Sequence, residues 1–195
     1  MSALGATAGT AEVIPRGDAV AAAAHHAELD PEGTRRRELV WQDPLRSLER
    51  GAGLSGLEYL EAIASGEIPP PPIAVLMRMG PTEIAKGRAV FEGSPGEEHY
   101  NPIGSVHGGY ASTLLDSALG CAVQTTLPAG AIYSTLSLEV KLVRPITRDT
   151  GTVRVEAEVV HRGRRQSTAT ARLTSAATGK LLAHGSTTCL ITELG

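Results

Sequence analysis

Asn101-Pro102-Ile103-Gly104-Ser105-Val106-His107-Gly108-Gly109-Tyr110-Ala111-Ser112-Thr113-Leu114-Leu115-Asp116-Ser117-Ala118-Leu119-Gly120-Cys121-Ala122-Val123-Gln124 is the stretch on which the chain is organised. A loop of turn residues runs into His107-Gly108-Gly109, and a helix follows. Leu115, Ala118, Leu119 and Ala122 recur at i, i+3, i+4 and i+7, the spacing of one buried helical face. No proline interrupts them before Pro128. The glycine pair lets the backbone approach a ligand closely. The first amides of a helix have no internal partner, so they suit a negative charge.

Asp116 stands in the middle of that helix beside Leu114, Leu115, Ala118 and Leu119. Aspartate is a poor helix-interior residue, and a carboxylate is costly to bury alone. Its own face carries Ser112, Gly120 and Val123, which are small enough for something to approach. A satisfied structural acid is one reading and a functional carboxylate is the other. Asn101, the Gly-Gly helix start and the fixed spacing to Asp116 favour the second.

Downstream the pattern changes from 3.6 to 2. Leu136, Leu138, Val140 and Leu142 alternate with Ser137, Glu139, Lys141 and Val143; Val153, Val155, Ala157 and Val159 alternate with Arg154, Glu156 and Glu158. Such alternation predicts antiparallel strands with one dry face. Turns are expected at Leu127 to Gly130, Arg162-Gly163 and Thr178-Gly179. Strands around Arg165 to Ser175 and Leu181 to Ile191 complete the sheet. Upstream, Thr82 to Phe91 reads as two strands about Lys86-Gly87. Ser55-Gly56-Leu57-Glu58 is a capping box that opens a helix ended by Gly66. Pro69 to Pro72 predicts a stiff extended connector, and Ile73 to Met77 an apolar segment covering one end of a pocket. A long helix and a one-faced sheet pack economically when the sheet wraps the helix, an α+β architecture.

Composition narrows the function. The 195 residues carry a net charge of −3, which gives no electrostatic case for nucleic acid, and 3% aromatics provide no base-stacking platform. Cys121 and Cys189 form neither a disulfide framework nor a zinc pattern and read as reduced core thiols of a cytoplasmic protein. Neither a signal peptide nor a membrane span is expected. Residues 1–36 read as a disordered or loosely helical tail closing on a solvated Arg35-Arg36-Arg37. In that tail, His25-His26 is a weak metal signal. Residues 37–195 read as one domain with an N-terminal helical extension.

The pattern Asn101-x5-His107-Gly108-Gly109-x6-Asp116 resembles the active-site segment of hotdog-fold acyl-CoA thioesterases of the phenylacetate-degradation (PaaI) type. The likeness continues through Ser134 to Val140 and Leu142-Val143-Arg144-Pro145 and closes at Thr187-Thr188-Cys189-Leu190, covering about residues 55–192. It implies the hotdog fold and hydrolysis of acyl-CoA, with coenzyme A as part of the substrate and no further cofactor. It also implies a hydroxyl after the helix that assists the acid. Counting back from Arg144-Pro145 selects Thr135, the preferred choice; counting forward from Asp116 selects Ser134.

Gly108 and Asp116 are eight residues apart, roughly 12 Å along a helix axis at about 1.5 Å per residue. One carbonyl cannot touch both. Either one residue is not catalytic, or two chains related by a two-fold axis share the site in a dimer or tetramer. In the shared site the Gly108 amide stabilises the oxyanion, and Asp116 activates water or attacks the carbonyl itself. Asn101 holds the water or fixes the loop. His107 acts as a base, or fixes the loop while its backbone shapes the oxyanion site. No Gly-x-Ser-x-Gly elbow and no ligand cluster point to a serine or metal hydrolase. Arg144, Arg148, Arg162, Arg164 and Arg165 are candidates for the coenzyme phosphates, and equally ordinary surface charges. The acyl pocket is expected near Met77 to Met79 of a neighbouring chain, with Tyr110 as a further lining residue. Its acyl group, and coenzyme A against acyl carrier protein, stay open. A hotdog dehydratase or hydratase acting on acyl thioesters and a non-catalytic acyl-CoA-binding hotdog are the competing readings.

Overall fold

The computed structural model describes residues 33–194. Most of the expected tail, with His25 and His26, lies outside the described residues. The elements run α1 (Pro44–Gly51), α2 (Gly56–Ser65), α3 (Pro72–Met77), β1 (Met79–Ala85), β2 (Arg88–Gly93), α4 (Gly108–Gln124), β3 (Ala131–Leu142), β4 (Val153–Arg162), β5 (Gln166–Ser175) and β6 (Leu181–Glu193). The six strands form one antiparallel sheet in the order β1-β2-β4-β5-β6-β3, and α4 packs against its inner face. This is the hotdog arrangement.

The core lies between helix and sheet and is aliphatic, as the scarcity of aromatics requires. Leu114, Leu115, Leu119 and Val123 of α4 are fully buried, as are Val153, Val155 and Leu173 of the sheet. The expected face of α4 is the observed one, with Leu115, Ala118, Leu119 and Ala122 all at 0% exposure.

The capping box at α2 forms in both directions. Glu58 Oε2 accepts from the Ser55 amide at 2.8 Å, the Glu58 amide donates to Ser55 Oγ at 3.3 Å, and Gly66 ends the helix at φ 82°. The Gly56 amide then donates to the Leu127 carbonyl at 3.0 Å. A Cβ at Gly56 would overlap the backbone carbonyl of Gln124, so the start of α2 seats on the end of α4 only as glycine. Pro72, expected to be extended, opens the short helix α3 instead, since proline suits a first helical position. A further helix, α1, went unread in the sequence. Its signal was Asp43-Pro44: Asp43 Oδ1 accepts from the Leu45 amide at 2.9 Å, with proline at the helix start.

Two expectations need correction. Leu136 and Leu142 were placed on the buried face of β3, but they are 54% and 59% exposed. A register irregularity between Thr135 and Ser137 breaks the alternation, and β3 lies at the sheet edge, where one chain offers little to pack against. The basic cluster is not merely solvated. Arg35 pairs with Glu97, and Arg37 bonds the Val75 carbonyl at 2.7 Å and Glu98 at 3.2 Å.

The sheet's two edges differ. Edge strand β1 contains Pro81 beside a register irregularity, a combination that discourages further pairing. Edge strand β3 runs for 12 residues without proline and leaves Leu136, Leu142 and the following Val143 exposed.

Candidate active site

The loop before α4 is built on Asn101. Its Oδ1 accepts from the amides of Ile103 at 3.1 Å and Ser105 at 3.2 Å, and its Nδ2 donates to Ser105 Oγ at 3.1 Å. Gly104, at φ 82°, permits the tight return. Asn101 thus fixes the loop, with Ser105 as a partner the sequence reading did not name.

His107 is the helix cap. Its Nδ1 accepts from the Gly109 amide at 2.8 Å and its carbonyl accepts from the Tyr110 amide at 2.9 Å. His107 therefore occupies two of the first three amides of α4. The amide of Gly108 has no partner among the described residues. It borders an open recess of about 330 Å³ lined by Asn101, His107, Ala111, Leu142 and Arg144, among others. A Cβ at Gly108 would stand 2.7 Å from Leu142 Cδ1, so the glycine keeps this approach open.

Asp116 is not in that recess. It stands farther along α4, where Thr135 Oγ1 donates to its Oδ1 at 3.1 Å. Thr135 pairs with the buried Cys189 of β6 and so faces the helix. Its neighbour Ser134, the other candidate, points to the opposite face because strand residues alternate. Of the two candidate hydroxyls, Thr135 is the one that contacts Asp116. Cys121 follows on the same helix. Burial, and then the charge of Asp116, push its thiol up to about 12, so it remains a thiol.

The structure thus holds two separate groups of the expected site residues in one chain. Asn101, His107 and Gly108 belong to one, Asp116 and Thr135 to the other. Tyr110, expected to line the acyl pocket, is in neither: it is 2% exposed, with its hydroxyl against Gly93.

The sequence profile described as the thioesterase superfamily matches residues 103–181, from the Asn101 loop to the start of β6. Acyl-coenzyme A thioesterase 13 of Homo sapiens is 32% identical over 111 residues, covering 57% of this chain and 78% of that protein. The chain belongs to the thioesterase superfamily. It is accordingly a thioester hydrolase. Among solved structures, a putative thioesterase of Ralstonia eutropha described as a phenylacetic acid degradation-related protein is 29% identical with a TM-score of 0.62, over 68% of this chain and 98% of that one. A mutant of the phenylacetic acid degradation protein PaaI from Thermus thermophilus is likewise 29% identical, with a TM-score of 0.56 over 62% and 98%.

A charged cluster supports the loop from behind. The His99 carbonyl accepts from the His107 amide at 2.8 Å, and the His99 ring lies 4.7 Å from that of Tyr110. Its Nδ1 accepts from the Gly96 amide at 3.0 Å. Burial lowers the His99 pKa below its ordinary value, against the pull of Glu98 and the Leu76 carbonyl; Arg37 and Arg78 add to the lowering. The neutral ring is therefore the form the fold prefers. Its contribution to stability is complete above the unfolded value of 6.5 and is lost as pH falls through the lower folded value. His99→Gln is expected to lose less Tm than the wild type between pH 7.5 and pH 5, as thermal unfolding at the two pH values will read. An equal loss in both proteins would place the acid sensitivity elsewhere.

Proposed function

We propose that this thioesterase hydrolyses acyl-CoA in a site shared across a two-fold dimer, with the Gly108 amide from one chain and Asp116 from the other. The observation that carries the reading is the division of the site. A free helix-start amide and a hydroxyl-supported carboxylate lie eight residues apart on one rigid helix, about 12 Å by its geometry. Two antiparallel α4 helices would bring each half to its complement. The long edge of β3, with Leu136, Leu142 and Val143 exposed, is the surface available for the second copy.

In this mechanism the carbonyl oxygen of the thioester takes the Gly108 amide, and negative charge accumulates there as the tetrahedral stage forms. Asp116 of the other chain draws the proton from a water that attacks the carbonyl carbon, then passes that proton to the departing sulfur; alternatively, it attacks the carbon directly. The C–S bond then breaks and the thiol of coenzyme A leaves with a proton. After direct attack, water hydrolyses the acyl-aspartyl anhydride, frees the carboxylate and supplies that proton. Thr135 holds the carboxylate in register. Asn101 and His107 keep the loop and the first turn of α4 in place. Coenzyme A enters as part of the substrate, and the reaction needs no further cofactor. Arg144, which borders the Gly108 recess and donates to the Leu181 carbonyl at 2.7 Å, is the best-placed of the candidate arginines for its phosphates. The family and the curated acyl-coenzyme A thioesterase support the substrate class. Two free thiols, Cys121 and Cys189, suit the cytoplasm. No helix among the described residues is long and apolar enough to cross a membrane.

The test is thiol release from a panel of acyl-CoAs, short aliphatic to aryl, with the oligomeric state measured at the assay concentration. Turnover by a dimer or tetramer is expected. A catalytically active monomer would overturn the shared site.

A further inference from the structure

We infer that Tyr133 sets the length of the acyl group this enzyme accepts, by filling the place beside Asp116 that a longer chain would need. The inference rests on the proposed role of Asp116.

Tyr133 and Thr135 are two residues apart on β3, pair with Ile191 and Cys189 of β6, and face the helix together. Asp116 and Gly120 are four residues apart on α4. Two strand residues advance about 6.6 Å and four helix residues about 6 Å, so the two rows are in step. Thr135 meets Asp116 at one rung. At the next, a Cβ on Gly120 would overlap the Tyr133 hydroxyl and ring. Gly120 is thus the notch into which the phenol fits. The ring rests on a small cluster of Leu127, Ala131 and Ile191 below it.

The hydroxyl has no hydrogen-bond partner among the described residues, though the side chain is largely enclosed. Burial raises its pKa above the ordinary value. Cys121 and then Asp116 push it the same way, so it stays a neutral phenol within electrostatic reach of the carboxylate. On this side of Asp116 an acyl chain therefore meets a wall within about one helical turn, roughly 5 Å. Short acyl thioesters fit in front of it, and long straight chains do not.

The experiment measures kcat/KM for acetyl-, butyryl-, octanoyl- and dodecanoyl-CoA with wild type, Tyr133→Val, Tyr133→Phe and Asp116→Asn in parallel. Wild type should favour the two short substrates. Tyr133→Val should raise the octanoyl-to-butyryl ratio by at least about tenfold, the scale on which pocket size discriminates. Tyr133→Phe keeps the wall and should keep the ratio. If Tyr133→Val does not fold, Tyr133→Leu reads the same ratio while keeping an apolar side chain over Leu127 and Ile191. An unchanged ratio in a folded Val or Leu variant, or a wild type that favours dodecanoyl-CoA, overturns the inference. If either occurs while Asp116→Asn is inactive, the length inference fails alone. Full activity in Asp116→Asn overturns the Asp116 reading and the inference resting on it.

Discussion

Asp116→Asn is expected to lower kcat about a thousand-fold, the loss typical when a positioned general base is removed. Asparagine keeps the shape of the side chain and an oxygen that can accept the Thr135 hydroxyl, so the bond now 3.1 Å long has no reason to break. Neither fold nor assembly should change. The loss belongs in kcat, with KM little altered, because in the proposed mechanism the carboxylate acts when the carbonyl is attacked rather than when the substrate docks. Thiol release under saturating substrate reads the effect, and gel filtration checks that the assembly is intact. Thr135→Val should fall about tenfold, since in the proposed mechanism the threonine acts by holding the carboxylate through that bond. Retention of more than a tenth of wild-type turnover by Asp116→Asn would move the base to another residue.

Gly108→Pro should be nearly as damaging, for a different reason. It deletes one N–H and little else. Proline is tolerated at the first position of a helix, and His107, at φ −59° and ψ 137°, already has the backbone that a residue before proline must adopt. Among the described residues, a new Cβ would closely meet only the movable end of Leu142. If the Gly108 amide holds the oxyanion, kcat should fall by about a hundred- to a thousand-fold.

Combining the two variants tests the shared site. In a mixed dimer of Gly108→Pro and Asp116→Asn chains, one site receives both defects. The other receives an intact Gly108 from one chain and an intact Asp116 from its partner. Random reassociation of equal amounts should restore about a quarter of wild-type activity from two inactive proteins, since half the dimers are mixed and each has one sound site. No recovery after verified exchange of chains would show that each chain carries its own site, and the division between Gly108 and Asp116 would need another explanation.

Much of this was legible before the fold. The buried stripe of α4 follows from four apolar residues at helical spacing, and the strands from alternation in β4, where Val153, Val155 and Ala157 are all at 0% exposure. Both are local patterns repeated often enough to fix a period. In β3 one irregularity at Thr135/Ser137 takes Leu136 out of the alternation, while Leu142 keeps the inward phase of Leu138 and Val140 and is exposed because it lies on the edge strand. The register of a strand depends on its partner as well as on its own alternation. Tyr110 was misplaced similarly: a helix face can be computed from the sequence, but what lies opposite it cannot.

The sequence alone determined the central helix and the strands, the residues with chemistry to offer, and the distance between them. Eight residues on a helix cannot close on one carbonyl, whatever surrounds it. Tertiary structure decided which groups are engaged and which remain free. His107 occupies the amides beside Gly108 and leaves that one open, Thr135 rather than Ser134 meets Asp116, and Gly120 receives Tyr133. The physical reason is range. Helix and strand periods are set by neighbours along the chain, whereas hydrogen-bond partners, exposed edges and filled notches are set by residues brought together only when the sheet closes around the helix.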